Sequence, residues 1–130
     1  MFMRKTLTAA IIAASTLIST PVFAHEANPV YLIATVTVTD FDAYMGNYGS
    51  IAIPAIIAAG GEILVGTPEV TILEGEFVHN WTVVVRFPSE EAAYNWYNSP
   101  EYQAVISIRQ ALTNTDTAVM ILAPQFQPPE

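Results

Sequence analysis

Period-two alternation opens the organised part of the chain. Over residues 31–38, Leu32, Ala34, Val36 and Val38 fall on one face and Tyr31, Ile33, Thr35 and Thr37 on the other, which predicts a strand. The period then changes. Within residues 42–59, Tyr44, Tyr48, Ile51 and Ala55 recur at helical spacing, and Thr39 with Asp42 three residues on resembles a capping box. Pro54 cannot donate to such a helix, so a break or kink is expected near residues 50–53, with Gly60 and Gly61 supplying a left-handed stop. Residues 62–66 and 70–74 read as two short strands around Thr67 and Pro68, and residues 81–87 as a longer strand of Val, Thr and aromatics. Ser89 predicts a cap for a helix over residues 90–98, because its hydroxyl can accept from orphan amides while Glu90 and Glu91 complement the N-terminal dipole. Ser99 and Pro100 repeat the signal for a helix reaching about Leu112, and residues 116–122 form the last strand.

The order of strand, helix, hairpin or strand pair, strand, two helices and strand matches an α+β, ferredoxin-like split βαβ arrangement, with an antiparallel sheet and helices on one face. The strand faces then pose a problem. Trp81, Val83, Val85 and Phe87 oppose Thr82, Val84 and Arg86, and Ala118, Met120 and Leu122 oppose Thr117, Val119 and Ile121, so neither face reads as solvated. Helices cover one side only. Leaving several Val and Ile of the other side in water would cost several kcal/mol at roughly 25 cal/mol per Å². A homodimer through the sheet faces is therefore expected, with Arg86, Thr82, Val84, Ile33 and Thr35 as candidate interface residues.

Composition changes this picture at the N-terminus. Arg4 and Lys5 precede an apolar run from Leu7 to Ile18, and Val22 and Ala24 occupy the minus-three and minus-one positions of a cleavage site, so residues 1–24 read as a secretory signal peptide. The run is short for a membrane span, although an uncleaved anchor is the alternative. The expected order is then a flexible lead over 25–30, one domain over 31–123 and an extended, Pro-rich tail over 124–130, in a protein exported to the periplasm or the extracellular space, without a membrane segment after cleavage. Arg4 and Lys5 leave with the leader, so only Arg86 and Arg109 stand against 12 Asp+Glu. So acidic a chain repels phosphate backbones, which argues against nucleic acid as a partner. The absence of cysteine rules out disulfides and thiolate metal or redox sites.

The candidate chemistry is sparse. Arg109 lies seven residues after Tyr102 and four after Val105, on a partly apolar helical stripe, so its guanidinium either enters a cavity between helix and sheet or pairs with Glu101, Glu74 or Asp116. Arg86 reads as a cross-subunit ion pair rather than a catalyst. Tyr44, Tyr48, Tyr94, Trp96, Tyr97 and Tyr102 are either core packing or the lining of a pocket for a planar molecule, with Tyr102 and Tyr48 the better placed. A copper site at a newly exposed His25 would have only His79 to complete it, and no metal is expected. Ser89 and Ser99 are caps rather than nucleophiles, Glu90 and Glu91 form a solvated first turn, and Gly60-Gly61 ends a helix instead of cradling a phosphate.

Taken together, Val38-Thr39-Asp40 with Tyr44 and Tyr48, Gly60-Gly61 before a strand, Leu73-Glu74-Gly75, Phe87-Pro88-Ser89 with Ala92-Ala93, Trp96-Tyr97, and Asn98-Ser99-Pro100-Glu101-Tyr102 with Arg109 resemble the family called domain of unknown function 1330. The resemblance runs from about Tyr31 to Ala123. It implies a ferredoxin-like dimeric α/β barrel, in a superfamily that includes cofactor-independent monooxygenases, muconolactone isomerases and small stress-related barrels, and it implies no reaction for the family itself. Leu64-Val65-Gly66-Thr67 stands where many relatives carry an arginine, which argues against an anionic ligand, and many relatives lack an export leader. Three functions follow. The first is an exported dimer binding a small apolar or aromatic molecule between helices and sheet, with Arg109, Tyr102, Tyr48 and Glu74 as candidate contacts and no cofactor. The second is a cofactor-independent monooxygenase- or isomerase-like enzyme in which Arg109 stabilises negative charge and a tyrosine or Glu74 moves a proton. The third is a structural or protein-interaction dimer.

Overall fold

The structure is a computed structural model that describes residues 28–130. The signal peptide expected over 1–24, most of the expected lead and His25 lie outside the described residues. Four strands form one antiparallel sheet in the order β2-β3-β1-β4: β1 (Val30–Val36), β2 (Glu62–Thr67), β3 (Trp81–Phe87) and β4 (Val119–Pro124). β1 and β2 run parallel with β3 inserted between them, which is the split βαβ, ferredoxin-like arrangement. β1 alternates buried and half-buried along its whole length, as a central strand covered on one face does. Its inward residues pack with Val85, Phe87 and the helices into a single core.

The first helical segment departs from simple periodicity. It starts with the short α1 (Phe41–Ala43), whose cap is Asp40 rather than Thr39, the Asp40 carboxylate accepting from the Ala43 amide at 3.0 Å. Thr39 is occupied elsewhere, its hydroxyl donating to the Leu112 carbonyl at 3.1 Å. Tyr44–Gly49 then winds as a π turn before α2 (Ser50–Ala58). A π turn carries one residue more than an α turn, so the inward stripe slips by one position. Ala52 and Ile56 are buried where regular spacing from Tyr44 and Tyr48 pointed to Ile51 and Ala55, and Ile51 is left 42% exposed. The irregularity therefore lies ahead of Pro54, which sits inside α2, and not at residues 50–53. Ser50 accommodates the wide turn by donating its hydroxyl to the Gly46 carbonyl at 2.6 Å.

Gly60 takes the left-handed conformation, φ +84°, and stops α2. Gly61 is needed for a different reason. A Cβ there would stand 2.6 Å from the Ile56 side chain and 2.9 Å from the Phe87 ring, so this glycine lets α2 and β3 meet. In β2 the register slips between Ile63 and Val65, and the bulge at Leu64 keeps Ile63 level with Val85 and Val65 level with Val84.

Residues 70–74 form no strand, contrary to their pattern. They belong to an irregular connection over 68–80 in which Val70, Ile72 and Leu73 are exposed, while β2 follows on directly from Gly61 and pairs with β3 without them. The connection is fastened at its end by Asn80, whose amide group accepts from the Val38 N–H at 2.7 Å and donates to the Val38 carbonyl at 2.9 Å.

α3 (Glu90–Tyr97) is capped by Ser89 and α4 (Pro100–Gln103) by Ser99, each hydroxyl accepting the amide three residues on. The helix expected to run unbroken to Leu112 divides at Ala104 and Val105, and resumes as α5 (Ile106–Ala111). β4 begins at Val119 rather than at residue 116, because the Asn114 side chain accepts from the Asp116 amide and holds residues 115–117 in a turn. The helices all lie on the inward face. Among the described residues no helix is long and apolar enough to cross a membrane.

Gly61→Ala should lower unfolding free energy by about 1–3 kcal/mol through overpacking, read as a drop in the urea midpoint. Gly46→Ala, whose Cβ would meet nothing within 4 Å, should not; equal effects would refute the close-approach reading.

Candidate functional site

Between the inward sheet face and the helical layer lies a cavity of about 240 Å³. Small residues carve it out. Ala34 at the centre of β1, Gly66 on β2, Gly49 in the π turn and Ala52 on α2 line the space, where larger side chains would fill it. Leu32, Val36, Ile53, Ile56, Ile63 and Val83 complete an apolar wall with Trp81, Trp96, Met45 and Met120. The phase slip of the π turn matters here, since it directs Ala52 inward in place of Ile51.

The polar groups of the cavity come from three elements. The π turn contributes Tyr44 and Tyr48, and α5 contributes Arg109, the one charged residue on the wall. Directly behind Tyr48 stands Tyr102 of α4, fully buried, with the two hydroxyls 3.2 Å apart and the Tyr102 ring 4.1 Å from that of Trp96. Burial pushes the Tyr44 phenol up from 10.0 to about 12, against a downward pull from the Arg109 charge. The same desolvation raises Tyr48, helped by the proximity of Tyr102, and raises Tyr102 against opposing pulls from Tyr48 and Arg109. At neutral pH all three are protonated donors. Arg109 itself is half-buried, and its Nε is buried with no hydrogen-bond partner among the described residues.

A second cavity of about 230 Å³ adjoins the first, lined by Ala93, Tyr94, Tyr97, Ile121 and Leu122. Leu32, Trp96, Arg109 and Met120 belong to both walls, so the arginine stands in the partition between them.

Of the residues singled out in the sequence, Arg109 and Tyr48 line the cavity and Tyr102 supports it from behind. Glu74 is not brought there: because residues 70–74 form no strand, it lies exposed in the 68–80 connection. Glu101 lines a separate groove between α2 and α3, and Asp116 is exposed in the turn before β4, so neither carboxylate lies on the cavity wall. Ile33, Thr35, Thr82, Val84 and Arg86 share the outward face of the central strand pair, with Ile33 opposite Val84 and Thr35 opposite Thr82. They are half-buried in the single chain. Val65 of β2 and Ile121 of β4 extend the Ile33–Val84 row across the sheet. His79 packs edge-on against Phe77, and no cluster of three His, Cys, Asp or Glu that could hold a metal occurs among the described residues. Sequence reasoning passed over Met45 and Met120 as wall residues. Met120 was legible on the inward stripe of β4, whereas Met45 reaches the wall only through the π turn.

Comparison with known proteins agrees with this architecture. The family model for a domain of unknown function (DUF1330) matches residues 29–122. Among solved structures, a protein of unknown function from Rhodopseudomonas palustris superposes with a TM-score of 0.64 at 18% identity, over 78% of this chain and 85% of that one. SnoaB, a cofactor-independent oxygenase from Streptomyces nogalater, superposes with a TM-score of 0.53 at 16% identity, over 78% and 97%. A dimeric protein of unknown function and ferredoxin-like fold from Bacteroides fragilis gives 0.50 at 16%, over 75% and 96%. Likeness at these identities establishes the fold. No curated protein matches the sequence.

The Tyr44 phenol carries a pH signature. Because its folded pKa is raised from 10.0 to about 12, the stability it contributes is complete below pH 10 and is lost as pH rises toward 12, where only the unfolded chain ionises freely. The loss should be on the order of 1–2 kcal/mol, and Tyr44→Phe should flatten the fall of the urea midpoint over that window. An unchanged slope in the variant would show that the phenol is not held protonated by the fold.

Proposed function

We propose, from the premise that the chain belongs to the DUF1330 family, that this protein is an exported homodimer that holds a small, mainly apolar or aromatic molecule between its helices and sheet. The observation that carries this is the cavity itself: an apolar chamber of about 240 Å³ with a few convergent polar groups, in the interior of a domain small enough that packing such a volume would have added stability. Protein interiors are ordinarily filled to crystal-like density. Here Ala34, Ala52, Gly49 and Gly66 leave the space open at the one place where Arg109 and two phenols meet.

Dimerisation is supported by the outward face, on which Val65, Val84, Ile33 and Ile121 form one apolar row, and by the described dimeric state of the Bacteroides fragilis protein of the same fold. Export is supported by the pattern of Arg4-Lys5, the apolar run and Val22/Ala24. A second reading is a cofactor-independent oxygenase- or isomerase-like activity on the bound molecule. Its support is the fold likeness to SnoaB together with the placement of Arg109 and protonated tyrosines on one wall, a set able to stabilise a developing oxyanion and return a proton.

Untargeted mass spectrometry of solvent extracts tests the binding reading. Protein purified from the exported fraction should release a small molecule that an Ala52→Leu variant, its chamber filled, does not, and its intact mass should correspond to a chain starting at His25. Extracts from the two proteins with the same composition would sink the proposal. For the dimer, light scattering after size exclusion should give twice the mature chain mass at micromolar concentration. Ile121→Asp, which sets a charge on an exposed edge of the apolar row, should shift the particle to monomer; a native monomer would count directly against the interface.

A further inference from the structure

We propose that the occupant of this cavity is an anion: a compact, mostly apolar molecule bearing one carboxylate or enolate oxygen that docks on Arg109. The inference rests on the reading above that the cavity is a binding site, and it goes beyond it by assigning the chemical class. Arg109 is the one charged residue on the wall, and no carboxylate lines either of the two cavities that it faces. Its Nε is buried and has no hydrogen-bond partner among the described residues. A half-buried guanidinium that faces apolar cavities without a counter-charge is a costly arrangement, and in a chain with 12 Asp+Glu a paired position was easily available. A neutral hydrocarbon would leave that cost standing. An oxyanion removes it, because the guanidinium presents a fork of N–H donors shaped for a carboxylate.

The phenols complete the site as donors. The hydroxyls of Tyr48 and Tyr102, 3.2 Å apart, carry two hydrogens and need only one for their mutual bond. The other has no better protein acceptor in view than the Met120 sulfur, 4.0 Å from the Tyr102 hydroxyl, and is free to turn to an oxygen of the ligand. Kept protonated by burial, these groups can donate to an anion and bring no negative charge of their own to the arginine. The lack of an arginine on β2 argues against an anion only if β2 must supply the charge. Here Ile63 and Gly66 give the β2 part of the wall, and the charge arrives from α5 on the far side of the chamber. With about 240 Å³ to fill, about eight times the volume that a water occupies in the liquid, one or two fused rings or a medium-length alkyl chain fit beside the acidic group.

The test compares matched pairs of probes, naphthoate with naphthylmethanol and octanoate with octanol, by titration calorimetry on the mature protein at neutral pH. Each acid should bind about ten- to a hundredfold tighter than its alcohol, the range of a charge-assisted hydrogen bond. Arg109→Gln should abolish that preference while leaving the alcohol affinities within about threefold, and Arg109→Lys should retain part of it. If Arg109→Gln does not fold by circular dichroism, the wild-type ratio is followed instead from neutral pH down through the carboxylic acid's own titration near pH 4–5, where the preference should vanish. Acids and alcohols that bind equally to the wild type overturn the anion assignment and leave the binding site standing. Absence of binding by all four probes overturns the binding reading and, with it, this inference.

Discussion

The structure depends on how a cluster of aromatic rings spaces the helical layer from the sheet. Tyr44 and Tyr48 lie 4.9 Å apart between centroids, Tyr48 meets Tyr102 through both ring edge and hydroxyl, and Tyr102 leans on Trp96, so one contiguous stack joins the π turn, α3 and α4. Rings of this size cannot interdigitate as closely as aliphatic side chains. They act as a spacer, and the sheet beneath answers with Ala34 on the central β1 and Gly66 on the edge strand β2 rather than with side chains long enough to close the gap. Desolvation of the phenols, the isolation of the guanidinium and the existence of the chamber all follow from that one separation.

Much of this was legible in the sequence, and the limits are physical. Alternation over residues 31–38 and the Val, Thr and aromatic content of 81–87 marked both strands, which are central to the sheet. Ser89 and Ser99 were legible as caps because capping is local chemistry. The stripe of the first helix was misread after Tyr48, since a π turn has no compositional mark and adds its residue silently. Residues 70–74 looked like a strand because strand propensity measures fitness for a pleated surface; whether they join a sheet is decided elsewhere in the chain. Arg109 was identifiable as a residue on an apolar stripe, but its choice between an ion pair and a cavity depends on where three carboxylates end up in space, and no spacing encodes that.

The two sheet faces divide the molecule's tasks. The inward face lines a cavity, with Ala34 of β1 and Gly66 of β2 among larger apolar residues. The outward face builds rows of Val, Ile and Thr in register across all four strands. A ferredoxin-like sheet has only two faces, so a domain that lines a cavity with one has the other left to offer to a partner. The bulge at Leu64 serves both faces, setting Ile63 toward the chamber and Val65 into the outward row.

The π turn also fixes how the chamber can vary. Rewinding Tyr44–Gly49 as regular α-helix at unchanged length would rotate everything downstream by about 100°, bringing a branched isoleucine to the wall in place of alanine, whereas deleting one residue together with the extra turn would leave the downstream phase as it is. The open space is thus encoded in the phase of a helix more than in its composition, and the winding of one short segment acts as a digital control: open as a π turn, closed as an α turn of the same length.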